Sequence, residues 1–196
     1  AGPLALFVSC LTSLETPVSA LLKFALGVDW ISERFGRIAA TAVLLAALIS
    51  AGNAFLRYGL DISSNAWLEI QWYLFAACVM LGAAQVLRVN EHVRVDLFYS
   101  RLNGKGQAIL DLAGMLLFLL PVMVIMIYFS WPLFYKMLVT GEMSSNAGGL
   151  IRWPAMLMLP LGFTLVLLQG VSEVIKRVAW LNHRLDADFH YERPLQ

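Results

Sequence analysis

The sequence predicts an all-α integral membrane protein with four transmembrane helices, and three observations support this fold class. Hydrophobic residues make up 60% of the 196 residues and charged residues only 14%, against roughly 25% in ordinary soluble domains. The apolar residues collect in four runs that approach or exceed the ~20 residues needed to cross a bilayer. Indole side chains, which favour membrane interfaces, lie near the ends of these runs at Trp67, Trp72, Trp131 and Trp153.

The four runs define one transmembrane domain over residues 36–178, preceded by an amino-terminal segment, 1–35, and followed by a tail, 179–196. The spans are expected at about 36–58, 67–87, 108–131 and 153–178. Pro121 and Pro160 lack a backbone donor, so we expect them to kink the third and fourth spans. No cleaved signal peptide is expected at residues 4–11, since no positive residue precedes them.

Two segments outside the spans have the pattern of amphipathic helices. In the first segment, apolar residues recur at three- and four-residue spacing and form a stripe: Leu14, Val18, Leu21, Leu22, Ala25 and Val28. The charged residues Glu15, Lys23 and Asp29 lie outside this stripe. This pattern is typical of a helix that lies in the membrane interface. Residues 93–102 predict a second, shorter interfacial helix that stops at Asn103-Gly104. The glycine-rich connection 136–152 is predicted to be a loop.

The distribution of basic residues predicts the orientation of the chain, because Lys and Arg are enriched in cytoplasmic connections. Eleven lie in the amino-terminal segment, the middle connection and the tail: Lys23, Arg34, Arg37, Arg88, Arg94, Arg101, Lys105, Lys176, Arg177, Arg184 and Arg193. Only Arg57, Lys136 and Arg152 belong to the first and third connections. Both termini are therefore expected to be cytoplasmic, with the first and third connections on the opposite side.

The sequence gives no signal for catalysis, a cofactor or a metal. The net charge of +1 and the absence of a basic run argue against a nucleic-acid partner. Cys10 and Cys78 are too isolated to signal a disulfide framework or a metal site. His92, His183 and His190 lie outside the spans, which argues against a transmembrane haem. A serine-nucleophile elbow and a phosphate-binding glycine loop are also absent.

Polar residues inside the spans are few, and most lie within two turns of a span end. They are Asn53, Glu69, Gln71, Gln85, Asp111, Gln169 and Glu173. A solute pathway needs polar groups across the whole bilayer, so these residues are interpreted as contacts between helices or with lipid head groups. The pattern predicts a scaffold or partner subunit rather than an autonomous channel or a membrane enzyme.

A charged run, Glu91-His92-Val93-Arg94-Val95-Asp96, separates the second span from the third. Charge inside lipid costs roughly 2.5 to 3.5 kcal/mol per residue, so this run belongs at a membrane edge. Two interpretations remain open for it. The run either anchors the interfacial helix at the cytoplasmic surface or provides a docking site for a second membrane subunit.

Several motifs together resemble the small membrane subunit, of the DctQ type, of tripartite ATP-independent periplasmic (TRAP) transporters. The resemblance covers about residues 31–178, and the His-Val-Arg-Val-Asp stretch is its most specific part. The motifs are Asn53-Ala54-Phe55-Leu56-Arg57-Tyr58, Ser63-Ser64-Asn65-Ala66-Trp67-Leu68-Glu69-Ile70-Gln71-Trp72-Tyr73-Leu74-Phe75, Asn90-Glu91-His92-Val93-Arg94-Val95-Asp96, Gly141-Glu142, Gly148-Gly149-Leu150, Trp153-Pro154 and Leu168-Gln169-Gly170.

The resemblance implies a small permease subunit of a cation-driven importer in the bacterial inner membrane. Its implied partners are a large multi-span permease subunit, which it would brace in the lipid bilayer, and a periplasmic substrate-binding protein, which it would help to dock. The positions implied as partner-interface candidates are Asn53, Arg57, Glu69, Gln71, Trp72, Glu91, His92, Arg94, Asp96, Trp153 and Gln169.

A second function remains open, that of an accessory structural subunit in another membrane complex, respiratory or photosynthetic. Lipid-facing helices and interfacial segments can brace any large membrane assembly. In addition, members of this group of the family usually carry a Lys shortly after the Trp-Pro pair, whereas Trp153-Pro154 is followed here by Ala155-Met156-Leu157.

Overall fold

The computed structural model describes residues 17–62, 64–90 and 102–182. Its helices are α1 (Pro17–Leu60), α2 (Asn65–Val89), α3 (Gly104–Gly114), a π-helical turn (Met115–Leu119), α4 (Leu120–Thr140) and α5 (Trp153–Leu181). Because α3, the π turn and α4 are continuous, they form one span, and the described residues contain four helices long and apolar enough to cross a membrane. The predicted all-α fold with four spans is confirmed.

Helix α1 is longer than the first predicted span. Its 44 residues correspond to about 66 Å at 1.5 Å per residue, which exceeds the roughly 40–45 Å of a bilayer with its head groups. The described part of the segment before residue 36, residues 17–35, is not a separate helix, because α1 continues through it without a break. Within that segment Leu22 packs against Ala179 and Ile175 of α5, so part of its apolar stripe contacts protein.

Helices α1 and α2 form an antiparallel hairpin with close contacts at small residues. A Cβ added to Gly36 would lie 2.7 Å from Cγ of Gln85, and one added to Gly82 would lie 3.4 Å from Cβ of Ala39. Small residues let helix backbones approach each other in membranes, where van der Waals packing replaces the hydrophobic effect between helices. The hairpin therefore derives its stability largely from close fit.

Helix α5 is the central helix, because it packs against α1, α2, α3 and α4. Gly162 sits directly on Met80 of α2, whose carbonyl oxygen would lie 2.8 Å from an added Cβ. Gly170 sits on the side chains of Leu119 and Leu120 in the same way. A buried cluster of Ala39, Leu81, Ala84 and Leu165 fills the space where α1, α2 and α5 meet.

The third span differs from its prediction at both ends and in its middle. It starts at Gly104 and continues through Pro132 to Thr140, so the loop predicted from residue 136 begins only at Gly141. In the π turn the Leu120 N–H donates to the Met115 carbonyl, five residues back. This turn directly precedes Pro121, which has no N–H to continue the regular pattern.

The two ends of the bundle are named here by what they contain. The loop end holds the turn between α1 and α2 and the connection between α4 and α5, which we name the 141–152 loop. The terminal end is where α1 begins and α5 ends. The interfacial helix predicted at 93–102 falls almost entirely on residues 91–101, which lie outside the described residues, as do 1–16 and 183–196.

Candidate functional site

A buried carboxylate at the loop end holds the 141–152 loop. The Glu69 residue, in the second turn of α2, is only 3% exposed. Its Oε1 accepts hydrogen bonds from the Ser144 hydroxyl and from Asn146 Nδ2 at 2.8 Å, and its Oε2 accepts one from the Leu150 backbone N–H at 2.6 Å. We name these four residues the Glu69 clasp.

Glycines make the clasp sterically feasible. Gly141 and Gly148 have φ values of +59° and +70°, in the left-handed region that residues with a Cβ rarely adopt. Gly149 is constrained differently, since a Cβ at this position would lie 2.5 Å from Cβ of Ser144 and 2.9 Å from Oε1 of Glu69. The structure thus gives the glycines of the loop signal and of the family motifs two separate roles: Gly141 and Gly148 provide left-handed turns, and Gly149 allows the loop to approach Glu69.

Further hydrogen bonds connect the 141–152 loop to the rest of the loop end. Asn65 Nδ2 donates to the Ala147 carbonyl at 3.0 Å, which links the loop to the first residue of α2. The Tyr73 hydroxyl donates to the Ile151 carbonyl at 2.9 Å. An exposed ion pair, with 2.7 Å between Arg152 Nη1 and Glu142 Oε1, closes the base of the loop. The two connections at this end thus form one surface.

A groove of about 330 Å³ lies beside the clasp, between α2 and α5. Its walls are mostly apolar and include Trp72, Met80, Met156 and Leu159, while Glu69 and Arg152 lie at one end. Within 17–62, 64–90 and 102–182 no group of three His, Cys, Asp or Glu side chains is placed to hold a metal ion. The groove has the character of a packing surface.

A second polar cluster lies toward the terminal end, and its side chains come from α1, α3 and α5. Its members are Asp29, Ser32, Asp111, Gln169, Ser172, Glu173, Lys176 and Arg177, which we name the Asp29 network. Lys176 Nζ lies 3.1 Å from both carboxylate oxygens of Asp29. Gln169, which is fully buried, donates from Nε2 to Asp29 Oδ1 at 2.8 Å.

The network continues through ion pairs on α5 to the third span. Arg177 Nη1 lies 2.8 Å from Glu173 Oε2, and Arg177 Nη2 lies 3.2 Å from Asp111 Oδ2. On its other side, Arg88 of α2 donates to the Asp29 backbone carbonyl at 3.0 Å. Buried charges are costly unless they are paired and hydrogen-bonded, and each charge in this network has a partner on the chain itself.

The structure places the predicted interface residues in different environments. Glu69 and Gln169 are buried and hydrogen-bonded within the chain at opposite ends of the bundle, so neither side chain is presented to a partner. Arg57 is exposed, and Trp72 is 66% exposed. Half-buried positions are Asn53, Gln71 and Trp153. The remaining candidates, Glu91, His92, Arg94 and Asp96, lie outside the described residues.

Sequence reasoning missed most of the Asp29 network. The predicted amphipathic pattern put Asp29 away from the packed stripe, whereas its carboxylate faces α5 and is bonded to Lys176. One available signal was the spacing on α5, where Gln169, Glu173 and Arg177 recur every four residues on one helix face. The partners of that face on α1 lie 137 or more residues away in sequence, so spacing alone does not reveal them.

Large apolar side chains remain exposed along the spans. On the first span they include Leu44, Leu48 and Phe55, and on the third Phe118, Tyr128 and Phe129. Contiguous apolar surface of this kind requires lipid or a protein partner to cover it. Together with the four apolar helices, it identifies a multi-pass membrane protein.

The comparisons with known proteins agree with the fold and with the motifs. A family model described as "Tripartite ATP-independent periplasmic transporters, DctQ component" matches residues 46–179, which is more than half of the chain and includes the whole Glu69 clasp. Searches of curated proteins and of solved structures each found no match. The matched family consists of transporter subunits and is not an enzyme family. The chain therefore belongs to the DctQ component family of the tripartite ATP-independent periplasmic transporters.

Proposed function

We propose that this chain is the small permease subunit of a TRAP-type secondary transporter in the bacterial inner membrane. It braces a large multi-span permease subunit in the bilayer and helps to dock a periplasmic substrate-binding protein. The observation that carries the proposal is the family match over residues 46–179. Membership implies a multi-component transporter, in which solute passage need not occur through this chain.

The distribution of polar groups supports a bracing role rather than a transport pathway. The two polar clusters lie toward opposite ends of the bundle, and between them α1, α2 and α5 pack through an apolar core that includes Leu81 and Leu165. A solute pathway would need polar groups along the whole membrane depth. The bundle instead offers a rigid body with long apolar outer surfaces, as a partner subunit in lipid requires.

The charge distribution supports an orientation in which the loop end is periplasmic. Eleven of the fourteen Lys and Arg residues belong to the amino-terminal segment, the middle connection and the tail. By the positive-inside rule those segments are cytoplasmic, so the 141–152 loop and the turn between α1 and α2 face the periplasm. In this orientation the soluble binding protein meets the surface that includes the Glu69 clasp.

The orientation is tested by labelling from one side of the membrane. A Ser145→Cys variant, with Cys10 and Cys78 replaced by Ser, places one thiol at the exposed tip of the loop. We expect a membrane-impermeant maleimide to label it from the periplasmic side of intact spheroplasts, while a Lys105→Cys control stays unlabelled until the membrane is broken. The reverse labelling pattern would contradict the orientation.

The transporter function is tested by affinity purification of the chain from its native membrane in mild detergent. Mass spectrometry should identify a large permease subunit of roughly a dozen spans, and a periplasmic binding protein should bind to the purified pair. An absorption spectrum of the same material tests the accessory-subunit alternative. Recovery of a pigmented or redox-active complex, with no permease present, would overturn the proposed function in favour of that alternative.

A further inference from the structure

We propose that Glu69 is a positioning residue, which holds the 141–152 loop in the one conformation that the periplasmic binding protein contacts. The inference rests on the proposed function and adds to it the residue that organises the docking surface. Glu69 itself does not touch the partner, since it is almost fully buried beneath the loop. Its effect on docking is exerted through the loop.

The hydrogen-bonding chemistry of the clasp explains why the loop stays in place. An ionised carboxylate can only accept hydrogen bonds, and all three of its partners, Ser144, Asn146 and the Leu150 N–H, are donors. Hydrogen bonds to an ionised group are roughly twice as strong as neutral ones. If the loop left, the carboxylate would exchange these three hydrogen bonds for bonds to water, and a hydrogen bond to a charged group contributes more net stability than a neutral one.

The loop also has its own backbone order. The Ser144 N–H donates to the Leu150 carbonyl at 2.9 Å, and the Arg152 N–H donates to the Glu142 carbonyl at 3.0 Å. Met143 and Ile151 form an isolated antiparallel bridge between these bonds. The loop is therefore a short hairpin whose tip, residues 145–148, is exposed. Glu69 fixes this hairpin to α2.

The surface around the tip has the composition of a protein contact. Tyr58 is 88% exposed, and Leu60, Ile62 and Met143 are each about 60% exposed. Met143 belongs to the hairpin itself, and the other three lie at the end of α1 and in the turn that follows it. They are at the same end of the bundle as the tip, whose residues are small and uncharged: Ser145, Asn146, Ala147 and Gly148. Asn65 bonds the tip to the start of α2, so the two connections present one continuous surface at the end of the bundle.

A soluble periplasmic protein is the occupant that fits this position. The large membrane subunit can cover the helices, whereas the hairpin lies between the last turn of α4 and the first turn of α5. Its tip is bonded to the first residue of α2, so the hairpin belongs to the end of the bundle that faces the periplasm in the proposed orientation. Association costs less free energy when the contacting loop is already ordered. The clasp supplies that order before the binding protein arrives.

The experiment compares variants of the two-subunit permease in lipid nanodiscs. A Glu69→Gln change keeps the size of the side chain but turns one acceptor oxygen into a donor facing the donors of the loop. We expect amide hydrogen exchange at Ser144 and Leu150 to become at least tenfold faster. The Kd for the binding protein should rise at least tenfold, while co-purification with the large subunit is unchanged.

Two further variants make the outcome decisive. The matched control, Glu142→Gln, removes the exposed ion pair with Arg152 but none of the clasp, and should leave amide exchange at Ser144 and Leu150 within about twofold of wild type. The double change Ser144→Ala and Asn146→Ala leaves Glu69 in place and removes two of its donors. It should reproduce the effect of Glu69→Gln, even if that variant fails to assemble.

Two results would overturn the inference. The first is unchanged amide exchange of the loop in both clasp variants, and the second is unchanged binding after the loop has become mobile. An error in the proposed function would instead be detected with the wild-type chain. There the large subunit would not co-purify, or the assembled wild-type permease would not bind the binding protein at any concentration.

Discussion

The Glu69 clasp and the Asp29 network both place carboxylates inside a membrane protein, but they hold different things together. The partners of Glu69 are neutral donors from one short loop. The carboxylates of Asp29 and Glu173 are paired instead with the cations Lys176 and Arg177. Neutral donors fix a local segment, whereas ion pairs between elements fix the helices relative to each other.

This difference predicts which parts of the structure are destabilised when each site is disrupted. Loss of the clasp frees a loop of twelve residues, 141–152, and leaves the helix contacts in place. Loss of the network removes the buried ion pairs that join α5 to α1 and α3, which destabilises the whole terminal end. Substitutions at the two sites should therefore differ in how far their effects extend.

The largest effect is expected from Glu173→Ala, because this carboxylate is bonded to Lys176, Arg177 and Gln169. Breaking a buried ion pair costs about 3 to 5 kcal/mol, and the lower end of this range is expected because Lys176 and Arg177 each keep one other carboxylate, Asp29 and Asp111. The matched control is Glu33→Ala, whose partly exposed pairs with Arg37 and Arg88 should contribute about 1 kcal/mol or less. Thermal unfolding of the purified subunit in detergent measures both. Equal melting temperatures for the two variants would refute the structural role of the network.

An intermediate effect is expected from Gly162→Ala, which tests the apolar contact between the two clusters. The added Cβ would lie 2.6 to 3.0 Å from the Cβ, carbonyl oxygen and Cα of Met80. Overpacking of this kind costs about 1 to 3 kcal/mol. Gly52→Ala provides the control, because nothing lies within 4 Å of its added Cβ and alanine favours helix by about 0.5 to 1 kcal/mol. Opposite signs in unfolding free energy are expected, and a stabilising Gly162→Ala would contradict the close contact.

A local effect is expected at the neighbouring glycines of the 141–152 loop. Gly149→Ala meets Ser144 and Glu69, so it should open the clasp and speed amide exchange at Leu150. Gly148→Ala has open space around it and adds only the strain of a left-handed φ, about 1 to 2 kcal/mol. Hydrogen exchange of both variants separates the two causes. The clasp geometry is wrong if Leu150 exchanges equally fast in both.

The smallest effect is expected from Arg152→Ala, which removes the exposed ion pair with Glu142. Exposed pairs contribute about 0 to 1 kcal/mol, and the change should shift the melting temperature by no more than about 2 to 4 °C. Double-mutant analysis with Glu142→Ala measures the coupling between the two side chains. A coupling above about 2 kcal/mol would mean that this pair stabilises the loop as strongly as the clasp.

Much of the fold could be predicted because hydrophobic length is a local property. The four apolar runs predicted the four spans, but the boundaries were less accurate. The third span was predicted to end at Trp131, before Pro132, yet the helix continues to Thr140. The amino-terminal stripe was read as a separate surface helix because its partner, α5, lies at the other end of the sequence.

The candidate site was predicted only in part. The motifs identified Glu69 and the glycine loop separately, but the bond between them spans 75 to 81 residues and is a property of the tertiary fold. Asp29 was assigned to the solvent side because charged residues on an amphipathic helix usually face water. Its placement against Lys176, 147 residues away, depends on how α1 and α5 cross.

The π turn at Met115–Leu119 also sets the rotational phase of the third span. On an uninterrupted helix at 100° per residue, the buried face of Ser130, Phe134 and Met137 would lie about 90° from that of Gln107, Ala108 and Met115. A π turn inserts one residue and so rotates everything after it by about 100°. The insertion aligns the two buried faces on one side of the span. The same rotation aligns the outward-facing side chains before and after the π turn. A helical wheel drawn without the turn would place these side chains on two different sides of the span, but in the folded protein they form one continuous stripe.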